Sequence, residues 1–449
     1  MSITLIVWLF LFAGLVLASF QKSVYAISLY MLTFFLLPQF WWWGDALASF
    51  RWNLYGGIIL LLFGCLADPP VMDRKIRQLM NVSLLILANM TLVNFILAGN
   101  SHDSFDAFQL LFKFLVLTYL MFRTISTVDD LKIALISILL GGAYIGFECM
   151  VNDRGDVVNN RLEGVGAPGA TTANHFASLM VTIVPLVAPF FLRGRFWLKA
   201  LMLPVGGFIA NVVLLCNSRG AFLSAIVSAV VFVFMAPKEI RFKSLKLIAL
   251  GAFGIFLLLG DGRIFDRFLT TFASTQERDR SAQSRLDFWA AGASMIADYP
   301  LGAGGNGFKK AHGVKYLRSA GVSNVARAIH NGYLNEICQW GFQGLALRVV
   351  WYYLAIALTV GSIRQQIMAD QQDDFLIIAQ IALLAGTSAF LLGSMFGDLL
   401  DAEWGHWMVA LMASASAISN KLIGEDRYEE HEELDVFVES TESFNEQLI

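Results

Sequence analysis

Residues 198–236 read LKALMLPVGGFIANVVLLCNSRGAFLSAIVSAVVFVFMA. Two apolar runs, 198–216 and 219–236, are parted only by the turn Asn217-Ser218-Arg219. A helix crosses a hydrocarbon core about 30 Å thick in roughly 17–25 residues, so each run is long enough to span. Their junction is too short for anything but a hairpin through a bilayer. The rest of the chain repeats the pattern, with blocks at 3–19, 25–42, 52–66, 77–98, 106–125, 131–149, 173–192, 245–260, 333–360, 375–396 and 404–419. The third and last are short, which leaves twelve or thirteen spans. In lipid the backbone must satisfy its own hydrogen bonds, so these blocks are helices. They are too long for the alternating strands of about ten residues that build membrane barrels. The expected fold class is all-α: a polytopic membrane helical bundle of 12–13 transmembrane helices, with one long periplasmic loop containing short helices.

Composition agrees. The 449 residues are 57% apolar and 15% charged, with mean hydropathy +0.62, against about 45–50% and about 25% in soluble domains. That excludes a soluble enzyme, a nucleic-acid-binding module and a disordered chain. The net charge of −3 says little about partners. Cys65, Cys149, Cys216 and Cys338 lie in or beside apolar blocks, so no disulfide framework is implied. Met1 to Phe20 has no basic leader region and reads as a retained span.

Lysine and arginine in the short loops set the orientation. Arg74, Lys75 and Arg77, Arg123 and Lys132, Arg193, Arg195 and Lys199, Lys238 to Lys246, and Arg364 fall in one alternating set, which is assigned to the cytoplasm. The other set is poorer: 99–105 and 397–403 hold no lysine or arginine. The chain then divides into spans over 1–260, with an outer loop at 150–172; a long periplasmic loop at 261–332; C-terminal spans at 333–420; and an acidic cytoplasmic tail at 421–449. The long loop holds ten Lys/Arg against six Asp/Glu. Loops of that length in compact proteins are usually functional. Within it, Ser281 to Asp298 reads as an amphipathic helix whose apolar stripe is Leu286, Trp289, Ala290, Ala293 and Ile296.

The residues able to do chemistry collect on the poorer face. Arg219 opens a span where positive charge is unexpected. Its forked guanidinium suits a phosphate, the alternative being an arginine that snorkels to the interface. Arg285 on the loop helix is either a second phosphate clamp or an ion-pair partner of Asp287 or another acid; Arg278, Arg280 and Arg327 are weaker versions of it. His330, where the chain re-enters the membrane, can take a proton from a hydroxyl or can simply cap the interface. Glu336 lies on a different helical face from it. Asn331 and Tyr333 are polar lining in either case, and Arg161 lies in the outer loop. Asn174 and His175 open another span, where polar groups suit an anion but an ordinary cap by Thr171 or Thr172 also explains them. Arg348 is an intramembrane charge and so a functional candidate; a helix break at Gly341 to Gly344 would move it towards the outer edge.

Gly302-Ala303-Gly304-Gly305-Asn306-Gly307 fits GxGxxG, but no strand precedes it, so it is not read as a dinucleotide site. The six histidines never fall at metal-ligand spacing, and neither metal nor cofactor is expected.

Three motifs in order carry a family likeness: SRGAFL (218–223); R-x-D-x-W (285–289) running to D-Y-P-L-G-x-G (298–304); and H-N-x-Y-L (330–334). Together, over roughly 160–400, the chain resembles the O-antigen ligase and O-antigen polymerase superfamily. The spacing E-x-D-x-S-A-x-x-R from Glu277 to Arg285 resembles ligase-like proteins of exopolysaccharide and exosortase gene neighbourhoods. Gln339 is a departure, since relatives often carry an acid there. The resemblance implies an inverting, metal-independent glycosyltransferase of the bacterial inner membrane. Its donor would be a glycan on undecaprenyl diphosphate, and its acceptor a hydroxyl of a glycan, lipid or protein at the periplasmic face; no nucleic acid is involved. By the same resemblance Arg219 and Arg285 match the diphosphate-binding arginines and His330 the essential histidine. The alternatives are a repeat-unit polymerase, a protein O-oligosaccharyltransferase and, from another class, a glycolipid transporter or flippase.

Overall fold

The computed structural model describes residues 2–68, 70–98, 102–158, 161–166, 172–258, 280–322, 325–369 and 373–446. The helices are α1 (Ile3–Gln21), α2 (Tyr25–Phe35), α3 (Trp52–Leu66), α4 (Arg74–Leu92, extended by a wider turn over Val93–Leu97), α5 (His102–Thr124) and α6 (Val128–Val151). A hairpin follows, β1 (Asp156–Val158) and β2 (Arg161–Glu163), then α7 (Ala173–Ile183), α8 (Val187–Arg193), α9 (Phe196–Cys216), α10 (Arg219–Met235) and α11 (Lys238–Leu258). The remainder is α12 (Arg280–Asp298), α13 (Gly313–Ser319), α14 (Gly332–Met368), α15 (Asp374–Gly393) and α16 (Glu403–Glu446). The chain is a polytopic helical membrane protein. Among the described residues, eight helical stretches are long and apolar enough to span, and Tyr25–Phe40, Trp52–Leu66 and Arg219–Met235 are shorter apolar ones. The block at 245–260 begins in α11 and ends outside the described residues.

The block at 404–419 behaves differently. From Glu403 to Ser419 every residue of α16 is buried. It is the central post of the bundle, with α5, α14 and α15 packed around it. Its Met-Ala-Ser-Ala-Ser-Ala run is less apolar than a lipid-facing helix because it meets helices, and small residues let backbones approach. The outer helices do the opposite: on α1, Ile3, Phe10 and Phe20 are exposed, a surface that lipid rather than water covers. α16 continues beyond the membrane block to Glu446, so the acidic tail is helical in the structure; its Glu and Arg residues are good helix formers.

The two ends of the bundle sort as the loop charges predict. Lys22 meets Asp130 at 2.7 Å, Arg193 meets Asp374 at 2.9 Å, and Asn420 donates to Asp73 at 3.0 Å, all at the lysine- and arginine-rich end. At the opposite end Lys310 meets Asp103 at 3.1 Å, and Arg161 donates to the Cys216 carbonyl at 3.3 Å.

The outer loop contains a short hairpin, with Val158 opposite Arg161 and Asp156 opposite Glu163. One expectation needs correction, because the apolar face of α12 is rotated from the predicted stripe: Phe288, Ala291, Met295 and Ile296 are buried, whereas Leu286 is exposed, as are Ala290 and Ala293. The buried set keeps i, i+3, i+7 and i+8 spacing and includes Gly292, where a Cβ would lie 2.2 Å from Ile329 Cδ1. Close approach at that glycine, not the size of Leu286, decides which face docks.

α14 is broken at Gly341, whose φ of 79° lies in the left-handed region. The break removes helical partners from several carbonyls, and the glycine-rich turn replaces them. Ala303 N–H donates to Cys338 O at 2.9 Å and Gly304 N–H to Gln339 O at 3.0 Å. Asn89 Nδ2 and Gln343 Nε2 both donate to Trp340 O at 3.0 Å. Phe342 N–H in turn donates to Pro300 O at 3.1 Å. Gly302, at φ 97°, lies so close that a Cβ would be 2.6 Å from Gln339 O. The GxGxxG segment is therefore a clasp that completes a broken membrane helix, as buried backbone requires.

Candidate active site

The turn between α9 and α10 builds one wall. Asn217 ends α9 in the left-handed conformation (φ 46°), which Asn tolerates better than other side-chain-bearing residues. Ser218 then caps α10 by accepting from Ala221 N–H, which leaves Arg219 as the first helical residue. Opposite, Thr172 caps α7 and sets Asn174 in its first turn. Asn174 Oδ1 accepts from Ser218 Oγ at 2.9 Å and also from the Arg161 guanidinium. The hairpin, the α7 start and the α9–α10 turn are thereby tied together.

Two cavities open here. One is lined by Arg161, Asn174, Arg219 and Arg285, and by Gly393 and Phe396. The other is lined by Arg161, Asn174, Arg285, Phe288, Arg327 and His330. Arg161, Asn174 and Arg285 belong to both, so the cavities adjoin.

His330 has φ 56°, rare for a residue with a side chain. Asn331 N–H donates to Asp398 Oδ1 at 3.0 Å, and the His330 backbone N–H faces the same carboxylate. Gly332 N–H donates to Ser394 O at 2.7 Å. The segment between α15 and α16 thus holds the histidine's backbone in place. Burial lowers the His330 pKa to about 4, assisted by Arg285, Arg327, Arg161 and Lys309. The imidazole is neutral at neutral pH and able to accept a proton. Burial pushes Asp398 up to about 7, with the Asn331 N–H pulling the other way.

Of the residues singled out from the sequence, Arg219, Arg285, Arg161, Asn174 and His330 come together. The others take different positions. His175 lines neither cavity. Asn331 caps α14 by accepting from Tyr333 and Leu334 N–H, and Tyr333 OH donates to Leu391 O at 2.8 Å. Arg348 is buried and donates to Glu336 Oε1 at 3.2 Å, with His406 Nε2 at 3.3 Å from its other side. Gln339, the departure from the expected acid, donates to Asp401 Oδ2 at 3.0 Å, as Asn335 does at 3.2 Å. Arg278, Thr171 and the start of the Glu277 motif lie outside the described residues, as does the side chain of Arg280.

Asp398 was missed by sequence reading. Its signal was present, since Asp398, Asp401 and Glu403 crowd one membrane edge, where ionisable groups are costly. Among the described residues, His102, Asp103 and Asp106 could together offer ligands to a metal, but Asp103 already pairs with Lys310 and His102 with Asp106.

No curated protein matches the chain. Residues 205–349 of this multi-pass helical membrane protein, from within α9 to just past the break in α14, match the family model described as O-antigen ligase.

Proposed function

We propose that the chain is an inverting glycosyltransferase acting at the periplasmic face of a bacterial inner membrane. It moves a glycan from undecaprenyl diphosphate to an acceptor hydroxyl and needs no metal. The observation that carries this reading is the convergence of Arg219, Arg285 and Arg161 on a cavity that adjoins the one at His330. Arginine forks bind phosphate oxygens in pairs and stay ionised. In the reaction the acceptor oxygen attacks the anomeric carbon from the face opposite the diphosphate. The bond from that carbon to the phosphate oxygen breaks, and the diphosphate leaves with the electron pair. Arg219 and Arg285 offset the negative charge that develops there. His330 takes the acceptor's proton.

The test is transfer in proteoliposomes containing the full chain, a labelled undecaprenyl-diphosphate glycan and a hydroxyl acceptor. Product of inverted anomeric configuration, formed with chelator present, is expected. Retained configuration, or transport of the lipid without transfer, overturns the reading. A ladder of lengthened glycans without added acceptor would identify the repeat-unit polymerase instead, and a mass increase on a periplasmic protein the protein O-oligosaccharyltransferase.

A further inference from the structure

The cavity at His330 has a cation that the Arg219 cavity lacks. Arg327 lines only the former. Its side chain is exposed, but its backbone is fixed two residues on, where Ile329 is buried against Gly292. Phe288 and Val322 give the same cavity an apolar wall, and no described residue lining it is a carboxylate. We propose that the sugar seated beside His330 is acidic, bearing a carboxylate or phosphate that Arg327 holds. This rests on the transferase reading and names the class of glycan.

Arg219 and Arg285 already serve a diphosphate. The Arg327 guanidinium shares the cavity of His330, where no described lining residue is a carboxylate, and its fork matches a planar carboxylate or a phosphate. The field around the histidine points the same way. Arg285, Arg327, Arg161 and Lys309 all oppose its taking a proton. The diphosphate offsets the charge of Arg219 and Arg285, and an acidic sugar offsets that of Arg327. With both charges in place the imidazole is a stronger base than in the free protein.

Binding is measured on the detergent-solubilised full chain, with inorganic pyrophosphate present to fill the Arg219 cavity. The probes are two oligosaccharides that differ only in ending with glucuronate or glucose. The glucuronate form is expected to bind about ten- to a hundred-fold more tightly, the range for a charge-assisted pair. Arg327→Gln removes the difference and Arg327→Lys restores part of it. A second pair, undecaprenyl diphosphate carrying glucuronate or glucose, separates the sources: a preference confined to this pair assigns the acid to the donor. Equal binding within both pairs, or a preference that survives Arg327→Gln, overturns the proposal. Binding decides this point even in a preparation without transfer activity, so its failure is distinct from failure of the transferase reading.

Discussion

The backbone N–H of Asn331 is anchored by the carboxylate of Asp398, 67 residues further along the chain, at 3.0 Å. His330 depends on that anchor to keep its left-handed backbone. Asp398→Ala should lower the transfer rate about a hundred-fold with donor affinity little changed, because a small misplacement of a base can cost that much. Asp398→Asn, which keeps an acceptor oxygen, should retain more activity. Single-turnover rates read beside donor binding check both; wild-type turnover in Asp398→Ala rejects the role.

Arg219→Ala and Arg285→Ala should each cost about 2.7–4 kcal/mol of transition-state stabilisation, the usual effect of deleting one donor to developing charge. Membrane insertion and thermal stability should stay near wild type, since both side chains line a cavity and not the packed core. The comparison of kcat with melting temperature in detergent makes the distinction.

Arg348 and Glu336 are 1% and 2% exposed. Arg348→Met leaves the Glu336 carboxylate buried without its partner, which should destabilise the protein by about 3–5 kcal/mol. The double variant Glu336→Gln/Arg348→Met should recover most of that loss. Thermal unfolding of the singles and the double forms the cycle, and additive losses would show that the pair is not coupled.

Gly341→Ala forces a side chain into φ 79°, with its Cβ 2.5 Å from the Leu301 carbonyl carbon. The expected outcome is loss of the clasp, seen as faster hydrogen exchange across residues 300–305 and 338–343. Unchanged exchange there would count against the clasp.

The pH dependence follows from the histidine. Its pKa is lowered to about 4 in the free protein, chiefly by burial and then by the surrounding cations. The base is therefore active above that value and lost as pH falls through it. A bound diphosphate offsets the cations and raises the pKa. The acid limb of kcat should therefore lie at higher pH than the acid limb of kcat/KM, since these report the substrate-bound and free forms respectively. Coincident limbs would disconnect the arginines from the imidazole.

Much of the fold and part of the site could be read from the chain itself, for physical reasons. Bilayer thickness writes itself into block length, so the bundle was visible. Arg219 was legible because a cation on the wrong face demands a reason, and His330 because of its place at re-entry. The docking face of α12 was misread because hydrophobic size favours Leu286, while the structure turns on the absence of a side chain at Gly292. Asp398 escaped because residues 397–403 were weighed only for their lack of positive charge. Arg348 looked functional because it is charged in a membrane; its partner Glu336 lies across a helix break that spacing rules for an unbroken helix do not anticipate.

The clasp at Gly341 has a consequence for traffic. Peptide amides outside the bilayer complete a ladder that belongs to a spanning helix, so lifting the extramembrane roof would strand bare oxygens against hydrocarbon. The roof is riveted there rather than hinged. On the proposed function, a lipid-borne donor would then enter sideways from the leaflet.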